Sequence, residues 1–120
     1  MSTDMLRALL QSSTIALMLS ACVSRECTTE ARAALLIVVE DADGSRVCDA
    51  TVVAHDGSFS QALHAFGAAS DCLYSGVYER DGTYQIEVTA GAKHKVVSKV
   101  VVTFGECHVN ARMLTIQLDS

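Results

Sequence analysis

The distribution of apolar residues points to an all-β fold, a single antiparallel sandwich of six or seven strands. Short runs rich in Val, Ile and Thr recur between Asp/Gly turn signals about 8–12 residues apart, which is the spacing of a sandwich. Several runs alternate apolar and polar side chains, the period of a sheet with one wet face and one buried face. Beyond the N-terminal segment, no stretch sustains the 3.6-residue period of a long helix.

Residues 23–33 are polar, without apolar periodicity, and read as a spacer. Residues 34–40, Ala-Leu-Leu-Ile-Val-Val-Glu, form a continuous apolar run suited to a core strand and closed by Asp41, Asp43 and Gly44. Residues 47–55 are rich in β-branched side chains and stop at Asp56-Gly57, as the second strand of a hairpin would. Residues 58–73 break the rhythm. Phe59, Leu63 and Phe66 fall at i, i+4 and i+7, one face of a helix, so a loop with a helical turn is expected here. A short strand over 74–80 follows, and Asp81-Gly82 is a strong hairpin signal joining it to the alternating run 84–89. Gly91 turns the chain into the longest strand, 96–104, ended by Gly105-Glu106. Residues 112–118 come last, with Leu114, Ile116 and Leu118 on one face.

The order of these units resembles the carboxypeptidase regulatory-like family. The matching residues are Val38 to Gly44, Val47 to Ala54, the Glu-Arg-Asp-Gly-Thr-Tyr unit and its continuation from Glu79 to Gly91, and Val100 to Leu118. The resemblance covers nearly all of the chain after the N-terminal segment. It implies a transthyretin-like (prealbumin-type) sandwich that is generally non-catalytic.

The N-terminus has a different character. A weakly positive start, Met1 to Arg7, precedes an apolar stretch from Ala8 to Ala21, strongest over Ile15-Ala16-Leu17-Met18-Leu19. As a helix this stretch reaches about 21 Å, short of the ~30 Å hydrocarbon core, so it suits an export signal better than a permanent span. It ends in Leu19-Ser20-Ala21-Cys22, which resembles the lipobox of bacterial lipoproteins. That resemblance implies a signal peptide over 1–21, lipidation of Cys22, a polar tether over 22–33 and the sandwich domain over 34–120. Ordinary secretory cleavage, or a buried helix with an incidental cysteine, are the other readings of the segment. Val23 stands where some bacteria use Asp to retain lipoproteins at the inner membrane, which favours the outer membrane.

The net charge of −5 and the absence of a basic run argue against nucleic acid and against attraction to anionic headgroups. With no Pro or Trp and few aromatics, the core must come from Val, Leu, Ile and Ala, and small exported domains of this kind often add disulfides. Setting Cys22 aside leaves Cys27, Cys48, Cys72 and Cys107. Four cysteines allow three connectivities. If consecutive strands run antiparallel, Cys48 and Cys107 fall at one end of the sandwich and Cys27 and Cys72 at the other, so those pairs are expected.

Residues with catalytic or ligating chemistry are scattered. A zinc site from Cys48, Cys72, Cys107 and His108 lacks the close Cys spacing of structural zinc. His55, His64, His94 and His108 fall on different elements, and no metal or other cofactor is expected. Cys107 and His108 are adjacent, which on a strand points them to opposite faces. There is no Gly-x-Ser-x-Gly elbow. Glu40, Asp41 and Asp43 lack a complete calcium loop and read as a solvated turn. Tyr74, Tyr78 and Tyr84 are candidate binding residues, with Tyr78 opposite Tyr84 in the expected hairpin as the packing alternative. The expected function is therefore that of a lipid-anchored cell-envelope protein, held to the membrane through Cys22, whose non-catalytic sandwich is an interaction or structural module for an envelope protein or glycan. The alternative is a small binding protein that uses the 57–75 loop for a carbohydrate, peptide or metal. An enzyme is the third.

Overall fold

The computed structural model describes residues 26–66 and 71–119. The signal segment 1–21 and Cys22 lie outside the described residues. The strands are β1 (Ala33–Glu40), β2 (Thr51–Asp56), β3 (Phe59–Phe66), β4 (Leu73–Tyr78), β5 (Gly82–Ala90), β6 (Lys93–Val102) and β7 (Arg112–Gln117). Among the described residues there is no helix. The chain is all-β, as its sequence predicts, with seven strands in one mixed sheet ordered β6-β5-β2-β3-β4-β1-β7. The sheet folds over so that both its halves share one apolar core, to which Leu35, Ile37 and Val39 contribute from β1, Ile86 and Val88 from β5, and Val100 and Val102 from β6.

Burial follows position in the sheet. β1 lies between β4 and β7, and Ala34, Leu35, Ile37, Val38 and Val39, from both faces of the strand, are all buried, which suits its continuous apolar run. β5 has one wet face, so Tyr84, Ile86 and Val88 are buried while Thr83, Gln85 and Thr89, which alternate with them, are exposed.

The stretch expected to be a loop with a helical turn is instead strand β3. Phe59 and Leu63 are four residues apart, a spacing that satisfies a helical period and a period of two alike. Phe66 has the opposite parity, and on the strand it is exposed. Gly57-Ser58 forms a two-residue hairpin loop, with Asp56 paired to Phe59. Residues 59–63 then pair with β2 and 64–66 with β4, so the sheet folds over about β3.

This extra strand adds one reversal of chain direction, and two expectations change with it. Cys72 arrives at the end that carries Cys48, and Cys107 at the end that carries Cys27. The disulfides are Cys27–Cys107 and Cys48–Cys72, with Cα–Cα distances of 5.2 and 5.0 Å, in place of the expected Cys48–Cys107 and Cys27–Cys72. By the same count β7 lies parallel to β1, Leu114 beside Ile37, so the sheet is mixed where an antiparallel sandwich was expected. The Cys27–Cys107 end is the near end, and the Cys48–Cys72 end the far end.

Asp81-Gly82 does not close a hairpin. β4 pairs with β3 and β1, and β5 with β2 and β6, so residues 79–81 carry the chain between the two halves at the near end. Gly82 is required there. Its φ of +152° favours glycine, and a Cβ would lie 2.4 Å from Asp56 Oδ2. Residues 46–50 make the crossover at the far end, which delays the start of β2 to Thr51. Val47 N–H still donates to Val39 O at 2.9 Å.

The free edges β6 and β7 approach each other across the open side. Arg112 Nη1 donates to Val101 O at 2.9 Å and Lys95 Nζ to Gln117 O at 2.8 Å. Bare strand edges template aggregation, and these two basic side chains occupy edge carbonyls.

Candidate functional site

Three groups of side chains bring potential chemistry together. The first lies at the near end. The 103–111 connection is folded tightly by Gly105 N–H to His108 O and Asn110 N–H to Thr103 O, both 2.8 Å, and it holds His108 inward with little exposure. His108 Nδ1 bonds Glu79 Oε2, and its Nε2 is 2.7 Å from Thr28 Oγ1. The other Glu79 oxygen accepts Val109 N–H at 3.1 Å. The His108 hydrogen bond, seconded by that of Val109, holds the Glu79 carboxyl below its ordinary 4.5 against the opposing effect of burial.

Thr28, His108 and Glu79 thus stand in the hydroxyl, imidazole, carboxylate order of an activated nucleophile. Among the described residues, the grooves on the sheet with linings drawn from 33–78, 41–118 and 55–99 include none of the three. Their contacts clasp the approach to β1 against the 103–111 connection. Cys27 is bridged to Cys107, and Arg32 O accepts Glu79 N–H at 3.0 Å. Residues 27–33, expected to be part of the spacer, are therefore docked on the sandwich.

The second group sits on the outer face of β2, β5 and β6. Glu87 Oε1 is 3.2 Å from His55 Nε2, and Oε2 is 3.0 Å from His94 Nε2. Hydrogen bonds, His94's first and then His55's, hold the Glu87 carboxyl below 4.5. Sequence reasoning scattered these histidines over separate elements. The register of the Gly91-Ala92 turn, Ala90 to Lys93, places His94 opposite Thr89 and so diagonal to Glu87. Each carboxylate oxygen takes its own imidazole, and among the described residues no group of three His, Cys, Asp or Glu is arranged to hold a metal ion. Cys48, Cys72, Cys107 and His108 are divided between the two ends. Asp41 pairs with Lys93, while Asp43 accepts from the Ser45 hydroxyl at 2.6 Å and from its N–H at 3.0 Å, which lowers the Asp43 carboxyl from 3.8.

The three tyrosines are not a platform. Tyr74 and Tyr84 are buried, whereas Tyr78 is exposed and not opposite Tyr84. Each buried hydroxyl latches one crossover. Tyr74 donates to Val47 O at 2.9 Å and accepts from Ala50 N–H at 3.0 Å, and burial raises its pKa above the ordinary 10.0. Tyr84 donates to Arg80 O at 2.8 Å and accepts from Arg80 Nη1 at 3.0 Å. The Arg80 guanidinium also donates to Asp56 Oδ2 at 3.0 Å and lies 3.9 Å above the Phe59 ring.

The third group lines a shallow groove of about 390 Å³ on the outer side of β3, β4 and β1, where Leu36, Gln61, His64, Phe66, Ser75 and Tyr78 meet. It exists because β3 and β4 pair only through 64–66 and 73–75. Beyond that, Val77 has a φ of 59° and its N–H donates to Gln61 Oε1 at 2.7 Å in place of a ladder bond. Gly76 permits the close approach, since a Cβ there would lie 2.6 Å from Leu63 Cδ2. The loop expected over 57–75 thus contributes mainly through strand residues. No protein-family model matches this chain, and a search of curated proteins finds no match to it.

Proposed function

We propose that this is a lipid-anchored protein of the bacterial cell envelope whose non-catalytic β-sandwich is an interaction or structural module. The observation that carries the reading is the cysteine pattern. The four described cysteines pair among themselves, which suits an oxidising compartment and is what assigning Cys22 to lipid requires. The lipobox-like Leu19-Ser20-Ala21-Cys22 supplies the anchor, and Val23 favours the outer membrane. The ordered turn and strand motifs support a carboxypeptidase regulatory-like module, transthyretin-like in fold. Its partner is an envelope protein or glycan. Radiolabelled palmitate incorporation that survives Cys22→Ser would sink the anchor, and a pull-down from cross-linked envelopes tests for the partner.

The groove beside Phe66 and Tyr78 favours a second reading, a small ligand-binding protein. Its lining combines exposed aromatic rings with the amide of Gln61 and the imidazole of His64, a mixture suited to a short glycan or peptide. Binding of such ligands that Phe66→Ala and Tyr78→Ala both abolish would support it over the first.

A further inference from the structure

We propose that the near end of the sandwich is a membrane-seating surface, with Phe104, Met113 and Tyr78 set in the lipid headgroup region of the bilayer that holds the anchor. The inference rests on the lipidation of Cys22 proposed above. It begins from the length of chain outside the structure. Cys27 is bridged to Cys107, and Thr28 and Arg32 are hydrogen-bonded to His108 and Glu79, so the docked chain starts at Cys27 rather than after a spacer ending at 33. Four residues separate Cys22 from Cys27, and the five Cα–Cα steps between them span at most about 18 Å when fully extended. The strand β1, eight residues long, separates the two ends by about 27 Å at ~3.4 Å per residue. A domain inverted to place its far end on the bilayer would hold Cys27 beyond the reach of its own anchor.

The surface at the near end fits that placement. Six large apolar side chains are exposed among the described residues, and four of them, Tyr78, Val101, Phe104 and Met113, lie within two residues of a near-end strand terminus. They are 58, 45, 49 and 66 % exposed. Arg112 stands beside Met113, its guanidinium on Val101 O. Rings and a thioether flanked by a basic side chain are suited to the boundary between headgroups and acyl chains. The other two, Phe66 and Val96, lie away from this end. A protein held at the surface by its lipid needs only modest apolar contact to fix its orientation, because the acyl chains supply the affinity.

The chain contains no Trp, so a single substitution gives an unambiguous optical probe. Phe104→Trp, Met113→Trp and Phe66→Trp proteins, purified from envelopes and reconstituted in phosphatidylcholine/phosphatidylethanolamine vesicles, should differ. The indoles of Phe104→Trp and Met113→Trp are expected to shift to shorter wavelength and to lose intensity with brominated lipid, and that of Phe66→Trp to remain water-like. Quenching of Phe66→Trp as strong as that of Phe104→Trp would mean a domain lying on its side. Acylated protein with no quenching at 104 or 113 would mean a domain held clear of the bilayer, and either result overturns the seating alone. A mass spectrum without acyl chains on Cys22 removes the anchor and the seating together.

Discussion

Each end of the sandwich has a short crossover latched by a buried tyrosine, and one disulfide, yet the two latches use different chemistry. At the far end the Tyr74 hydroxyl binds only neutral backbone groups, Val47 O and Ala50 N–H. The bridge from Cys48 to Cys72 closes the same few residues, 24 apart in sequence. At the near end the Tyr84 hydroxyl shares a guanidinium with Asp56 and the Phe59 ring, and Glu79 and His108 pair alongside. The bridge there spans 80 residues and ties the approach to β1 to the 103–111 connection, away from the Tyr84 latch. The latch at the far end is thus neutral and its bridge local, with the Asp41–Lys93 ion pair outside it, whereas the latch at the near end holds a guanidinium and its bridge is a long-range tie.

Removing the bridges tests this most severely. In the chain-entropy model the 80-residue closure is worth about 4.5 kcal/mol and the 24-residue closure about 3.4 kcal/mol. The Cys27→Ser/Cys107→Ser protein should therefore have a lower denaturation midpoint than Cys48→Ser/Cys72→Ser, both measured in urea without reductant. The reverse order would mean that the crossover at the far end, rather than the loop length, sets the contribution.

The same bridges show how far the fold was legible in the sequence. Six strands stood out from their turn signals and β-branched runs, because edge and central positions leave distinct apolar patterns. β3 did not, because Leu63 is its only buried residue and the four-residue spacing from Phe59 suits helix and strand equally. That single omission put Cys72 and Cys107 at each other's ends. Tyr78 and Tyr84 were separated by a different cause, the crossover at Glu79, whose φ of 53° no local pattern announces. The His55–Glu87–His94 row was within reach of the sequence, since a two-residue turn after Ala90 fixes its register. The clasp of Thr28 on His108 joins residues 80 apart and depends on the cysteine pairing, so it could not be read before β3 was placed.

Smaller effects separate the two latches. Tyr84→Phe and Tyr74→Phe each leave buried backbone groups short of a partner, at a cost of about 1–3 kcal/mol. The near-end change should be the larger because a charged group also loses its acceptor. A double-mutant cycle sharpens the point. Asp56→Asn should couple to Tyr84→Phe by about 0.5–1 kcal/mol and not measurably to Tyr74→Phe. Equal coupling to both would erase the distinction. On the near-end side of β6, Lys99 is exposed and holds a φ of 60°. Lys99→Gly should raise stability by about 0.5–1 kcal/mol, as relief of left-handed strain outweighs the added freedom of the unfolded chain.

The smallest expected difference is in acid. Glu79 at the near end is held below 4.5, chiefly by His108, and Asp43 at the far end below 3.8, chiefly by Ser45. A carboxylate whose folded pKa is depressed contributes stability that is present above its unfolded pKa and lost as pH falls through the folded value. The contribution of Glu79 thus begins to fade below about pH 4.5 and that of Asp43 only below about 3.8. Both groups reach water, so each effect is modest and weakened by salt. Protonation of Glu79 weakens the acceptor of Val109 N–H and the tie to His108 together, whereas protonation of Asp43 affects only its own turn. On titration from pH 6 the amides of Val109 and Ser45 should lose hydrogen-exchange protection in separate steps, each below the ordinary value of its own carboxyl. Glu79→Gln should flatten the Val109 profile and leave Ser45 unchanged. If both amides lost protection together in the unsubstituted protein, acid would be opening the sandwich as a whole rather than releasing each contact at its own end.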